Sequence, residues 1–132
     1  MQRNKSEVFA PKGLLKMLIL KLAAEKPITG IEIMDEIPKM TEDVWKPSPG
    51  SVYYLLAEMM EDDLLIQVPT GESGVKRYIC SNKGKVCLDS FKVDAKKDLY
   101  RQMIILKLLS DLAGNNLISD QIQILSRMVS SS

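Results

Sequence analysis

The chain has 132 residues, 45% of them hydrophobic and 27% charged, the balance of one folded domain rather than of a disordered chain. Eighteen Lys and Arg against seventeen Asp and Glu leave a net charge of +1, so any affinity for nucleic acid must come from local patches and not from a global field. There is no histidine, and the two cysteines, Cys80 and Cys87, have no zinc-motif spacing, which argues against a metal centre and leaves two buried structural thiols as the plain reading and a redox-sensing pair as the sharper one.

Taken in order, the N-terminal run is charged, and Lys12, Lys16 and Lys21 interrupt the apolar residues that follow. No secretory leader is expected, nor any stretch of about 20 apolar residues to span a bilayer, so the expected location is cytoplasmic, with no membrane partner. A first helix is predicted from about Lys12 to Glu25, with Leu14, Leu15, Leu18, Ile19 and Leu22 as its core stripe. Met17 and Leu20 widen that stripe, to serve either a second subunit or burial within one domain. Pro27 ends the region and Thr29 is placed to cap a second helix, in which Ile31, Met34 and Ile37 mark one face until Pro38 frays or stops it.

A polar turn, Thr41-Glu42-Asp43, leads to Trp45 and a third helix. Ser48 is a good N-cap and Pro49 fits the first helical position, where a missing N–H costs nothing. Val52, Leu55, Leu56 and Met59 recur at helical spacing as a buried stripe, while Ser51, Tyr54, Ala57, Glu58 and Glu61 point the other way. Two short helices around a turn, the second well capped, have the order of a helix-turn-helix. After Asp63 the period changes: Leu64 to Val68 reads as a strand, residues 69–74 as a turn rich in breakers, and Val75 to Cys80 as the returning strand. Three helices and a hairpin make a winged helix with its wing tip at Pro69 to Gly74.

Asn82 is placed to cap a long helix from about Lys83, with Leu88, Phe91, Ala95 and Leu99 along one side. From Leu99 to Leu112 the apolar residues occupy too much of the circumference for a surface helix and call for a covering partner. Gly114-Asn115-Asn116 is a helix stop, Ile118, Ile122, Leu125 and Val129 mark a last amphipathic helix, and Ser130 to Ser132 should fray. The expected class is therefore mainly α with a small β-hairpin (α+β): a winged helix-turn-helix over residues 1–82, then a C-terminal helical segment over residues 83–132.

Catalysis finds no footing: no Gly-rich phosphate loop, no catalytic cysteine context, and adjacent Asp62 and Asp63 that diverge by about 100° on a helix. The chain is not expected to be an enzyme or to need a cofactor. The run Trp45-Lys46-Pro47-Ser48-Pro49-Gly50-Ser51-Val52-Tyr53, followed by Leu55 and Leu56, resembles the third helix of PadR-type transcriptional regulators. Pro27-Ile28-Thr29-Gly30-Ile31-Glu32-Ile33 is similar to that family's turn into helix two, and Lys76-Arg77-Tyr78 with Asn82-Lys83-Gly84-Lys85 to its wing strand and next helix start. The resemblance covers about Leu14 to Leu88. It implies a homodimer joined through the first and C-terminal helices, a pseudo-palindromic double-stranded operator, repression, and release by a small hydrophobic effector whose contact residues it does not identify.

On DNA, a capped helix start meets phosphates with free amides and a favourable dipole while its first turns reach base edges. Lys46, Ser48 and Ser51 are the candidates for backbone contact and Tyr53 and Tyr54 for the groove, with packing against helix two as the other reading of Tyr53. Lys76 and Arg77 either neutralise flanking phosphates or form a solvated strand edge. One departure from the family pattern matters: the third helix ends in Glu58, Glu61, Asp62 and Asp63, and a carboxylate beside the DNA backbone is repelled. Asp63 also stands where the family usually has glycine, and takes a left-handed conformation only at some cost. The alternative function is a winged-helix module that binds protein and not DNA, which would show an exposed apolar patch instead of a basic strip.

Overall fold

The computed structural model describes Ala10, residues 13–69, Gly71 and residues 74–132. Helices α1 (Leu14–Glu25), α2 (Gly30–Met40) and α3 (Pro49–Glu61) precede strands β1 (Leu65–Val68) and β2 (Arg77–Cys80), and α4 (Asn82–Leu112) and α5 (Asn116–Ser131) follow. The strands pair antiparallel, Leu65 opposite Cys80 and Val68 opposite Arg77. This is the winged-helix order expected from the sequence. Lys12, at the predicted start of the first helix, and Thr70, Glu72 and Ser73 of the wing turn lie outside the described residues. Among those described, no helix is long and apolar enough to cross a membrane.

The chain divides into two compact units, one through Asp89 and one from Ser90. In the first, the core is built from Ile19 and Leu20 of α1, Ile33 and Ile37 of α2, Val52, Leu56 and Met59 of α3, and Ile28 before α2, all essentially inaccessible to solvent. Burying each such side chain is worth about 1.5–3 kcal/mol. Two expectations change here. Leu20 is not surplus but central, and on α2 the core position is Ile33, while Ile31 is 63% exposed. Both slips have one origin: α1 packs against β2 and α2 against α3, from directions that periodicity alone leaves undetermined.

The hairpin is anchored at its base. Ile28 and Tyr78 exchange both backbone hydrogen bonds, at 3.0 and 2.9 Å, so the segment before α2 pairs with the outer side of β2. α4 docks behind it through Gly84, where an added Cβ would run into the Leu64 carbonyl, the Cys80 sulfur and Leu20. Ser81 rather than Asn82 caps this helix: its hydroxyl accepts from the Gly84 amide at 2.9 Å and donates to the Asp63 carbonyl at 2.6 Å. Cys80 is buried, and Cys87 packs partly buried against the core.

Helix ends show the chemistry that set them. α2 runs through Pro38 to Met40 instead of stopping before it, because Pro38 sits in the last turn, where little helix remains for it to disrupt. α3 closes on Asp63, which has φ 61°, and the Leu64 amide reaches back to the Met59 carbonyl at 2.9 Å.

In the second unit α4 ends at left-handed Gly114, and Asn115 caps α5 by accepting from the Ile118 amide at 3.2 Å. The covered seam of α5 holds Ser119 and Ser126, with Ile122 and Val129 partly covered, whereas Ile118 and Leu125 are exposed. A relay of hydroxyls joins the two helices, Ser119 donating to Ser110 at 2.9 Å and Ser110 to the Asn115 carbonyl at 2.9 Å. α5 also holds its helical form to Ser131, one residue short of the last.

Candidate nucleic-acid interface

The start of α3 is built as its sequence predicts. The Ser48 hydroxyl accepts from the Ser51 amide at 3.1 Å and donates to the Ser51 hydroxyl at 2.8 Å, with Pro49 in the first turn. Because Ser48 is used on both sides, the hydroxyl proton of Ser51 is the donor left to face an incoming acceptor. Lys46, Ser48, Ser51 and Tyr54 are all exposed, Tyr54 by 69%.

The turn before α3 is held by backbone bonds, the Asp43 amide to the Pro38 carbonyl and the Val44 amide to the Thr41 carbonyl at 2.8 and 2.9 Å, and by the Thr41 hydroxyl. Thr41 donates to the Ile37 carbonyl at 2.9 Å and accepts from the Trp45 amide at 3.1 Å, while Glu42 and Asp43 take positive φ values of 50° and 64°. These two left-handed residues reverse the chain within the turn; the short side chain of Asp43 tolerates that conformation, and neither residue is β-branched. The path from α2 to α3 is fixed accordingly.

Tyr53 takes the packing reading, against the start of helix two, and is left partly open. Its ring lies on Gly30, so close that a Cβ there would stand 2.7 Å from the ring carbon Cε1, yet 48% of the residue remains accessible. It forms one wall of a cleft of about 280 Å³ whose other walls are Gly30, Ile31, Val75, Lys76 and Tyr78. The structure thus brings Tyr53 and Lys76 to one depression between α2, α3 and the wing. Gly30, Ile31 and Val75 belong to that wall and were not singled out from sequence as site residues. Ile31 was assigned to the core instead. Burial and the Tyr53 hydroxyl nearby push the Tyr78 phenol above its ordinary range, so it stays a neutral donor at physiological pH.

Arg77 has a different position. Its Nη1 donates to Glu32 Oε1 at 2.8 Å, and that carboxylate also accepts from the Thr29 amide at 3.1 Å while the Thr29 hydroxyl accepts from the Glu32 amide. This is a capping box to which the wing strand is tied by an ion pair. The Thr29 amide first, and the Arg77 charge further down, hold the Glu32 carboxyl below the usual carboxylate range. The cation of Arg77 is therefore engaged inside the protein, and the motif Thr29-Gly30-Ile31-Glu32 carries the partner that sequence reading left unpaired.

What this surface can do chemically is limited and clear. It offers exposed hydroxyls, amides at a helix start, a lysine on the wing and a phenol ring, and among the described residues no group of His, Cys, Asp and Glu could hold a metal ion. The family of PadR-like transcriptional regulators matches residues 19–89. No curated protein matches the sequence. Among solved structures, a protein of Thermoplasma acidophilum described as a transcriptional regulator is 29% identical, with a TM-score of 0.60, over 74% of this chain and 92% of its own. A PadR-like transcriptional regulator of Bacillus cereus is 25% identical with a TM-score of 0.55 over 80% and 93% of the two chains. A PadR-like transcription factor of Bacteroides fragilis is 26% identical with a TM-score of 0.53 over 72% and 91%.

Proposed function

The chain belongs to the PadR-like family of transcriptional regulators, and from that premise we propose that it is a dimeric repressor that reads a pseudo-palindromic operator through α3. The observation that carries the reading is the doubly used Ser48 cap, which presents the α3 start, Ser51 and Tyr54 on an exposed face beside the cleft that holds Tyr53 and Lys76. Lys46 and Ser51 take the phosphate with Ser48 holding Ser51 in place, Tyr54 faces the groove, and Tyr53 holds its ring against Gly30 while its open edge meets the DNA. Lys76 supplies the wing's phosphate contact, and Arg77 acts through Glu32 by fixing the wing. Two such helices about a two-fold axis enter successive major grooves about 34–36 Å apart. Residues 83–132 serve dimerisation, and a small hydrophobic effector releases the complex.

The test is fluorescence anisotropy on duplex DNA across a salt series. Wild type should lose affinity steeply with salt, and Lys76→Ala should flatten the slope by about one unit. A second reading has an observation of its own: Ile31 is exposed at the rim of the cleft and α3 ends in Glu58, Glu61, Asp62 and Asp63, as a protein-binding face would. Absence of DNA binding at low salt, with capture of a protein partner blocked by Ile31→Asp, would establish that alternative instead.

A further inference from the structure

We propose that the cleft between α4 and α5 in the second unit binds a single-tailed anionic amphiphile, a carboxylate or phosphate head on an aliphatic chain. The cleft has a volume of about 440 Å³ and is lined by Val93, Lys96, Lys97, Tyr100 and Arg101 of α4 and by Val129 of α5. The five α4 positions fall three and four residues apart, so they share one face of the helix. Val93, Tyr100 and Val129 make an apolar floor, and the three cations surround it. No acidic residue lines the cleft.

Charge sign selects the head group. Asp98 stands 3.6 Å from Arg101, whose side chain is 74% exposed, a geometry that holds a guanidinium only weakly. Lys96 and Lys97 are exposed. The carbonyl end of α5 lies near Val129 and disfavours an anion there, which places the head at the lysines and the tail across the valines. The floor selects an alkyl tail over a flat ring, since Tyr100 is its sole aromatic residue. Val93 to Tyr100 span roughly 10 Å at 1.5 Å per residue, room for an extended chain of medium length. This site belongs to the second unit and α3 to the first, and the proposal does not rest on the DNA-binding reading.

The experiment titrates the full-length protein with decanoate below its micelle concentration, followed by calorimetry and by amide chemical shifts. Octanoate, decyl phosphate, decanol and decyltrimethylammonium run in parallel. One decanoate per chain is expected to bind, with shifts centred on Val93, Tyr100 and Val129, and to bind about fifteenfold more tightly than octanoate, which is shorter by two methylenes. Lys96→Gln/Lys97→Gln should weaken decanoate by about tenfold or more and leave decanol unchanged. Val129→Asp should abolish the site with circular dichroism intact. The ratio of decanoate to decyl phosphate affinity then identifies the head group. Equal binding of decanol, tighter binding of the cationic amphiphile, or shifts centred on Ile105 to Leu112 would each overturn the proposal.

Discussion

Asp63 shows how a single residue can be costly and still well placed. It occupies the left-handed position that ends α3, with φ 61°, where glycine meets no Cβ penalty. Asp63→Gly should therefore stabilise the protein by about 1 kcal/mol, read as a rise of about 3–5 °C in melting temperature. The Ser81 hydroxyl contacts the backbone carbonyl of Asp63, so the substitution keeps that bond, and an unchanged or lower melting temperature would mean the aspartate side chain has a role of its own. Glu32 makes the opposite case, a residue whose cost appears only on removal. Its carboxyl titrates below the ordinary value of 4.5 in the folded chain, so its contribution is complete above that value and is lost as pH falls through the lower, folded one. Because the side chains of Glu32 and Arg77 are 37% and 35% exposed, screening keeps the term small. Glu32→Gln should cost about 1 kcal/mol at pH 7, and the gap to wild type in urea unfolding should shrink below about pH 4. A gap constant with pH would show that the amide replaces the carboxylate fully. Thr29 is legible in the sequence because a cap is local chemistry, and Asp63 because the family resemblance sets a glycine at that turn. The Glu32–Arg77 pair is not legible there, since the partners stand 45 residues apart and meet only once β2 lies beside Ile28.

At the level of elements, the start of α3 was readable residue by residue, whereas the orientation of α1 and α2 was not. Ser48 and Pro49 carry their meaning in two adjacent positions. Leu20 and Ile31, by contrast, sit on helices rich enough in apolar residues that more than one face satisfies a period of 3.6, and only the packing of α3 and the hairpin decides. The same holds in part on α5, where the hydropathy pattern finds partly covered Ile122 and Val129 but misses buried Ser119 and Ser126. The α3 start lends itself to a separation of stability from binding. Ser48→Ala removes the bond to the Ser51 amide and should cost about 1 kcal/mol. Ser51→Ala leaves the cap acceptor in place, so chemical denaturation should barely change. Both should weaken operator binding, Ser51→Ala without the loss of stability. Equal loss of stability in the two variants would show that the Ser48–Ser51 hydroxyl pair, and not the amide contact, holds the helix start.

For the whole molecule the deciding feature is apolar surface that one chain leaves open. Ile105, Leu108, Leu109 and Leu112 lie along one face of α4, and Leu117, Ile124 and Met128 along one face of α5, every one of them more than half exposed. Scattered exposed leucines need no explanation, but a contiguous face on each of two helices exceeds what a soluble monomer carries. The covered seam of α5 holds Ser119 and Ser126 beside partly covered Ile122 and Val129 and takes no leucine, so these leucines of both helices face outward. The proposed two-fold dimer would cover such faces and at the same time set the spacing of its two α3 helices. Sedimentation at micromolar concentration should accordingly give a dimer, and Leu108→Glu/Leu112→Glu should give a monomer, since charged groups buried at an apolar contact cost far more than they return. Circular dichroism of the variant should keep its helical signal, because neither residue belongs to the core of the first unit. Operator affinity should fall steeply with the loss of the second half-site, while the weak, salt-sensitive affinity of one winged helix for mixed-sequence DNA persists. A variant that stays dimeric would move the interface to α1 and the groove of Leu14, Leu15, Trp45 and Leu55, the other apolar surface that the first unit leaves partly open.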